Sequence, residues 1–177
     1  MSAIPLEELL ARIDTGETAF PALVLESVAL VTIRLRRFNL SGTRWFNVDA
    51  RGADLSWSDL RNATLSRVDL RGAHLFKLRL DGARLERVEL SGANLHAASL
   101  EGASLSDVQL RASQLCEVNL RRASLRGIVL QGANLTNADL RDADLTDANL
   151  SEAILTGAKL EGATVTRTNF HGARGRP

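Results

Sequence analysis

Few side chains in this sequence are of the types that perform catalytic or metal chemistry. The histidines are His74, His96 and His171, and Cys116 is the single thiol. A metal site needs three or four convergent ligands. Only His96 and Cys116, which are twenty residues apart, are spaced to meet on one surface. We therefore predict no metal site and no bound cofactor, and we interpret this pair as exposed surface.

The short motifs that accompany nucleophilic, phosphate-binding or metalloprotease chemistry are also missing. The sequence contains no G-x-S-x-G, P-loop, H-E-x-x-H or C-x-x-C. Its abundant serines, such as Ser56, Ser58 and Ser66, are interpreted as solvated surface. We predict no catalytic residue, no small-molecule substrate and no enzymatic activity.

The overall charge and composition narrow the class of protein. The 177 residues include 22 Lys and Arg against 21 Asp and Glu, a formal net charge of +1, which disfavours a strongly acidic surface and direct nucleic-acid binding. One cysteine permits no internal disulfide and suits a reducing compartment. No apolar run approaches the length of a membrane-spanning helix, and the N-terminus lacks the regions of a signal peptide. We expect a soluble cytoplasmic protein with no membrane contact.

The strongest pattern is a large apolar residue at every fifth position. Between Leu25 and Phe170, 26 of 30 such positions are Leu, and the others are Trp45, Ala50, Val165 and Phe170 itself. A helix repeats every 3.6 residues and a strand every 2, so neither explains an interval of five. A short fixed repeat predicts a solenoid instead.

A second period of twenty residues lies within the first. Valines recur at this interval at Val48, Val68, Val88 and Val108. Glycines recur in the same way at Gly52, Gly72, Gly92 and Gly132. We predict one coil for every four pentapeptides, with Gly at two of the four corners, where it adopts a positive φ at little cost. The other two corners carry residues such as Arg67 and Lys77, and we expect a different turn there.

The repeat resembles that of the pentapeptide-repeat family, whose consensus is Ala-(Asp/Asn)-Leu-X-X. The matches include Ala-Asp-Leu at 53–55, 138–140 and 143–145, and Ala-Asn-Leu at 93–95, 133–135 and 148–150. The resemblance covers residues 20–172. It implies an all-β fold, the right-handed quadrilateral parallel β-helix, in which each central Leu and the small residue two positions earlier point inward.

These inward residues should form an aliphatic core. The predicted core includes Leu55, Leu75, Leu95, Leu115, Leu135, Val48, Val68, Val88, Val108 and Trp45. The indole of Trp45 is oversized and the neighbouring Ala50 is undersized, so we infer that the indole fills the space that Ala50 leaves. Near the ends of the repeat, Phe38, Val165 and Phe170 are expected to plug the bore.

The predicted domain organisation is a capping helix and lead-in at 1–19, the β-helix at 20–172 and a tail at 173–177. Leu6, Leu9, Leu10 and Ile13 lie on one face of a helix predicted over residues 5–14, which should cover the first coil. No comparable helix follows Phe170. We therefore expect an open C-terminal coil, and either a monomer or a weak end-to-end dimer through it.

One outer face groups the remaining candidates. Steps of twenty residues place Phe76, His96 and Cys116 just after the leucines of this face, and Trp57 and Lys77 one residue later. Exposed aromatic clusters are enriched at binding hot spots. We hypothesise that these five residues bind a protein partner. The alternative, that Trp57 folds back over a corner as packing, stays open.

The sequence thus predicts a non-enzymatic protein-binding scaffold, a rigid rod that presents flat faces to an unidentified protein partner. Some proteins of the family it resembles mimic B-form DNA and bind DNA gyrase, giving quinolone resistance, and this resemblance implies the alternative function. Such mimics are typically strongly acidic, dimerise through a C-terminal helix and often carry projecting loops. This chain is nearly neutral, lacks that helix and keeps its five-residue interval. Direct nucleic-acid binding by the arginines at 34–37 and 111–126 is a third, less favoured option.

Overall fold

The repeat folds into one solenoid, which the computed structural model describes for residues 4–175. Its elements are α1 (Leu6–Asp14), β1 (Val24–Glu26), β2 (Arg44–Asp49), β3 (Thr64–Asp69), β4 (Arg84–Glu86) and β5 (Ser104–Ser106). The strands form one parallel sheet in the order β1-β2-β3-β4-β5. The predicted right-handed quadrilateral parallel β-helix with a short N-terminal helix is confirmed.

The ladder continues beyond the named strands as single parallel bridges. These bridges join residues twenty apart, beginning at Ala19 and reaching Arg174. The N–H of Leu75 donates to the carbonyl of Asn94 at 2.8 Å, and this bond recurs from coil to coil. Leu75 and Leu95 are both fully buried, one coil apart in the same bore. Four pentapeptides therefore complete one circuit, as the period of twenty predicted.

The Asp or Asn that precedes each central Leu stabilises the local backbone. Its Oδ1 accepts the N–H of the residue two positions later, at 3.0 Å between Asp54 and Ser56 and 3.1 Å between Asn134 and Thr136. Such short-range bonds explain why Asp and Asn are favoured at turns. The Asp or Asn directly before each central Leu therefore has a structural role, because its side chain satisfies a backbone N–H of the coil.

The corners without glycine also adopt the left-handed conformation. The φ angles of Lys77 and Arg67 are 53° and 55°, close to the 64° of Gly72. At the Lys77 corner, the N–H of Leu78 closes the turn on the carbonyl of Leu75 at 3.1 Å, as at the glycine corners. The expectation of a different turn is therefore wrong for Lys77, whereas at Arg67 the chain stays within β3. The ladder bonds of adjacent coils stabilise a conformation that costs a non-glycine residue roughly 1–2 kcal/mol.

Leucine and small residues fill the bore in stacked layers. The ten residues named above as core are each at most 2% exposed: Leu55, Leu75, Leu95, Leu115, Leu135, Val48, Val68, Val88, Val108 and Trp45. A single coil cannot bury its own leucines, so each layer depends on the coils on either side.

Trp45 interrupts the leucine layers of the sheet. It pairs in register with Leu25 on one side and Leu65 on the other, and it is fully buried, as is Ala50 on the next face of the same coil. Its Nε1 is buried without a hydrogen-bond partner among the described residues. That the indole fills the space left by Ala50 stays a prediction.

Helix α1 lies over the first coil. Leu9 is fully buried, and Leu6 and Ile13 pack partly buried against the core. Leu10, predicted to share their face, is instead 40% exposed. Leu6, Leu9 and Ile13 follow one narrow helical stripe, and Leu10 lies at its margin.

A buried aromatic pair lies near the N-terminal end of the solenoid and contacts α1 through Arg12. The rings of Phe20 and Phe38 are stacked, with centroids 6.0 Å apart and planes inclined by 5°. The guanidinium carbon of Arg12 lies 4.8 Å from the centre of the Phe20 ring, and two hydrogen bonds to Glu17 hold it there. Phe38 is thus buried near the N-terminal end, and its role as a plug of the bore stays a prediction.

The C-terminal end departs from the prediction in two ways. Arg174 pairs with Ile154, and Ala173 packs on the core, so both belong to the solenoid rather than to the tail predicted at 173–177. Val165 is 39% exposed and does not plug the bore, because no described residue packs over it. Residues 1–3 of the predicted lead-in and 176–177 of the predicted tail lie outside the described residues.

Candidate protein-binding face

The face built on Leu35, Leu55, Leu75, Leu95 and Leu115 carries the residues that the sequence singled out, and we call it the aromatic face. Strands β1–β5 lie two pentapeptides further along each coil, which is the opposite side of the square. We call that side the sheet face. Residues just before and after each leucine of the aromatic face point outward, since alternate side chains of an extended chain point to opposite sides.

Backbone hydrogen bonds between coils place the candidate residues next to one another. The N–H of Trp57 donates to the carbonyl of Phe76 at 2.8 Å, and the N–H of Lys77 donates to the carbonyl of His96 at 3.0 Å. The N–H of Ala97 donates to the carbonyl of Cys116 at 2.9 Å. Each step therefore advances one coil, about 4.8 Å along the rod.

The side chains of these coils contact one another. The Trp57 and Phe76 rings meet edge to face, with centroids 5.5 Å apart and planes inclined by 75°. Phe76 stacks on His96, with centroids again 5.5 Å apart and planes inclined by 12°. Lys77 Nζ lies 4.4 Å from the centre of the Trp57 ring and 5.4 Å from that of Phe76. We call Trp57, Phe76, His96 and Lys77 the aromatic column.

Packing within the column does not remove it from solvent. Trp57 contacts both Phe76 and Lys77 and is still 43% exposed, while Phe76 and His96 are partly buried. Trp57 therefore packs on its neighbours and also exposes a large apolar surface, and binding of a partner there stays a prediction. Pairs of this kind contribute about 0.5–1.5 kcal/mol each.

Cys116, the fifth candidate, lies one coil beyond His96 and is a partly buried free thiol. No group of three or more His, Cys, Asp or Glu side chains could hold a metal ion within residues 4–175.

An arginine–aspartate pair lies beside the aromatic column. Arg36 is one coil before Ser56, and its Nε lies 3.5 Å from the Oδ2 of Asp54. Burial raises the pKa of Asp54, but hydrogen bonds from Ser56 and the nearby Arg36 charge outweigh it, so this pKa lies below its usual range. Asp54 is therefore a carboxylate at neutral pH and compensates Arg36.

Elsewhere, arginines pair with an aspartate two residues earlier. The pairs are Asp49–Arg51, Asp59–Arg61, Asp69–Arg71 and Asp139–Arg141. In one of them, Arg61 Nε donates to the Oδ1 of Asp59 at 2.9 Å and Nη2 donates to Oδ2 at 2.5 Å. These bonds lower the pKa of Asp59.

These pairs were not predicted, although three of them are visible in the sequence as Asp-Leu-Arg at 59–61, 69–71 and 139–141. Residues i and i+2 share a side only where the chain is extended. The spacing therefore acquires its meaning once the fold is known.

The sheet face provides a comparison surface. Phe46 there is 37% exposed, but its register partners are Glu26 and Ser66, so no aromatic column forms beside it. Arg44 and Arg84 are exposed on the same face. This face has a comparable aromatic residue and comparable cations, without the stacked arrangement.

Comparison with known families decides the classification. The profile described as "Pentapeptide repeats" matches eight copies, over residues 33–67, 65–107, 109–147 and 133–172. The chain belongs to the pentapeptide-repeat family. Comparison with curated proteins finds no match to this sequence. Pentapeptide-repeat proteins are in general structural or binding proteins.

Several solved pentapeptide-repeat structures are similar to this chain. Trypsin-treated QnrB1, a plasmid-mediated fluoroquinolone resistance protein, is 16% identical over 88% of this chain and 90% of its own, with a TM-score of 0.72. HetL, involved in heterocyst differentiation regulation in Nostoc sp. strain PCC 7120, is 30% identical over 96% of each chain, with a TM-score of 0.39. A protein of the Arabidopsis thaliana thylakoid lumen is 25% identical over 52% of this chain and 64% of its own, with a TM-score of 0.51. At its level of identity, the QnrB1 likeness concerns the fold alone.

Helix α1 has 9 residues, and no helix within residues 4–175 is long and apolar enough to cross a bilayer.

Proposed function

We propose that this pentapeptide-repeat protein is a non-enzymatic scaffold whose aromatic face docks onto a partner protein. The observation that carries the proposal is the aromatic column, a cluster of stacked side chains that remains solvent-exposed at Trp57. Trp and Tyr side chains with neighbouring cations dominate the energetics of many protein interfaces.

The solenoid makes the column a preorganised surface. The backbone on either side of Trp57 and Lys77 is tied into the inter-coil ladder, and the leucines beneath are fully buried. Binding to a rigid surface avoids much of the entropy that is lost when a flexible loop becomes ordered. A partner would therefore meet the rings close to their bound arrangement.

An enzymatic role is not part of the proposal. Catalysis requires a concave site in which reactive groups converge. The side chains that flank the leucines of the aromatic face are directed outward, and no such concave site is seen there among the described residues. Ser56 and Ser58, expected from the sequence to be solvated surface, are instead buried, and the Ser56 hydroxyl donates to the backbone carbonyl of His74 at 3.4 Å. We propose no small-molecule substrate and no cofactor.

Gyrase binding by DNA mimicry has weaker support as a second function. Similarity to QnrB1 concerns the fold alone, and the Asp–Arg pairs give this surface alternating charges instead of the continuous acidic surface of a DNA mimic. A supercoiling assay tests it directly. Inhibition or rescue of gyrase at low micromolar protein would support mimicry.

Photocross-linking tests the scaffold proposal. A photoreactive phenylalanine analogue replaces Phe76 in one protein and Phe46, on the sheet face, in a matched control. Irradiation in lysate of the source cells should join a discrete partner at position 76 but not at 46. The wild-type protein should compete with this product, and the folded double variant Trp57→Ala/Phe76→Ala should not. Equal competition by the double variant would contradict the proposal.

A further inference from the structure

Charge is distributed unevenly around a chain whose net charge is only +1. On the aromatic face, the segments 34–37, 54–57, 74–77 and 94–97 contain four cationic side chains and a single carboxylate. The cations are Arg34, Arg36, Arg37 and Lys77, and the carboxylate is Asp54. The excess of positive charge is therefore concentrated at the end of the face that holds Trp57.

Two of these cations bracket Trp57 along the rod. The N–H of Arg37 donates to the carbonyl of Ser56 at 3.0 Å, which places Arg37 one coil before Trp57, and Lys77 lies one coil after it. Asp54 compensates Arg36, at 3.5 Å. No carboxylate of the described chain lies within ion-pair distance of Arg34, Arg37 or Lys77. These three charges are thus available to a partner.

We propose that the partner docks an acidic protein segment on this face, with carboxylates flanking an apolar side chain. The apolar side chain would cover the exposed part of Trp57, and the carboxylates would meet Arg37 and Lys77 on either side. Complementary charge of this kind steers association and fixes the orientation of the complex. This inference rests on the proposed function and specifies the chemistry of the partner.

The geometry of the rings favours a protein segment over a single-stranded nucleic acid. Nucleic-acid binding surfaces offer free aromatic faces on which successive bases stack. Here one face of Phe76 is stacked on His96, and the Trp57 ring is covered by the ammonium of Lys77. Ring edges carry partial positive charge and suit carboxylate oxygens.

Intrinsic fluorescence provides a direct measurement, because Trp57 is exposed and the second tryptophan, Trp45, is buried in the bore. The probes are a short peptide in which glutamates surround a Leu-Phe pair, the same peptide with Gln for Glu, the same peptide with Lys for Glu, and oligo-dT. The glutamate peptide should perturb Trp57 fluorescence and bind about tenfold or more tightly than the glutamine peptide at low salt. Its affinity should fall as salt rises.

Charge reversal makes the test specific to this face. Arg37→Glu/Lys77→Glu should abolish binding of the glutamate peptide and create binding of the lysine peptide. The matched control, Arg44→Glu/Arg84→Glu on the sheet face, should leave both affinities within about twofold of wild type, because those residues lie on the opposite side of the rod. Circular dichroism of each variant verifies folding.

Three results would overturn the inference: equal binding of the glutamate and glutamine peptides, tighter binding of oligo-dT, or an equal effect of the sheet-face control. The proposed function is tested separately by cross-linking at Phe76. A cross-linked partner that tolerates Arg37→Glu/Lys77→Glu would refute the acidic segment and leave the scaffold standing. Absence of a cross-linked partner at Phe76 would refute the scaffold and, with it, the docking of a partner's acidic segment, even if the glutamate peptide binds selectively.

Discussion

Phe76 stacks on His96 of the next coil, with ring centroids 5.5 Å apart and planes inclined by 12°. Both rings lie outside the bore that Leu75 and Leu95 fill. The stack therefore joins neighbouring coils at the surface, where a ring can be removed without opening a cavity in the core. Binding and folding contributions can be separated at this position.

Replacement of Phe76 by Ala should have a smaller effect on stability than replacement of the neighbouring core leucine. Loss of its two ring pairs, with Trp57 and His96, should lower the free energy of unfolding by about 1–3 kcal/mol. Leu75→Ala, one residue earlier but inside the bore, should cost about 2–5 kcal/mol through lost burial and the cavity left behind. Urea denaturation measures both. Equal losses would mean that the aromatic column is mainly packing.

Trp45 and Ala50 should be energetically coupled if the indole occupies the space that Ala50 leaves. Trp45→Leu alone opens a cavity, and Ala50→Leu alone overpacks the coil. The double variant restores leucine at both positions and should lose about 0.5–3 kcal/mol less than the sum of the single variants.

A distant pair provides the reference for this cycle. Trp45→Leu combined with Leu130→Ala, several coils away, should be additive within about 0.5 kcal/mol. Additivity of the Trp45 and Ala50 substitutions as well would show that the two sites do not share space.

Asp144 should make the fold sensitive to strong acid. The pKa of Asp144 is lowered from 3.8 to about 2. The largest cause is the Thr146 hydroxyl, which donates to the Oδ1 of Asp144 at 2.5 Å, followed by the Thr146 N–H and by Arg126. A carboxylate with a lowered folded pKa stabilises the fold above its unfolded pKa. That contribution should be lost as pH falls from 3.8 to about 2. NMR titration of Asp144 and urea midpoints across this interval measure the effect.

Thr146→Val removes the hydroxyl and should raise the pKa of Asp144 towards its ordinary value. The decline of stability in this acidic interval should then be shallower. Thr166→Val, at the equivalent position of the next coil, is the control, because Thr166 is exposed and no hydrogen bond joins its side chain to Asp144. An unchanged Asp144 titration in Thr146→Val would refute the assignment.

Self-association through the C-terminal coil remains a prediction. Val165 is exposed there, beside the partly buried Leu160. Sedimentation should find a monomer at low micromolar concentration and a mass that rises at higher concentration. Val165→Arg should remove that rise by placing a charge in an apolar contact. Val31→Arg, an exposed valine away from this end, should not. A mass independent of concentration in the wild type would exclude the weak dimer and leave the monomer.

The five- and twenty-residue periods were sufficient to predict the coil, the bore and the aromatic face. Leu75 and Leu95 are stacked and buried because each coil contacts only its neighbours, so a strict interval places a residue on a definite side of the backbone. The grouping of Trp57, Phe76 and His96 followed from the same arithmetic.

The contacts that side chains make within a face could be determined only from the folded structure. The stacking of Phe76 on His96, the cover of Trp57 by Lys77 and the exposure of Leu10 depend on rotamers and on what packs against each residue. The pairing of Asp59 with Arg61 likewise depends on the local extension of the backbone. Spacing determines the side of the ladder on which a residue lies, whereas packing between residues remote in the chain determines which partner it meets.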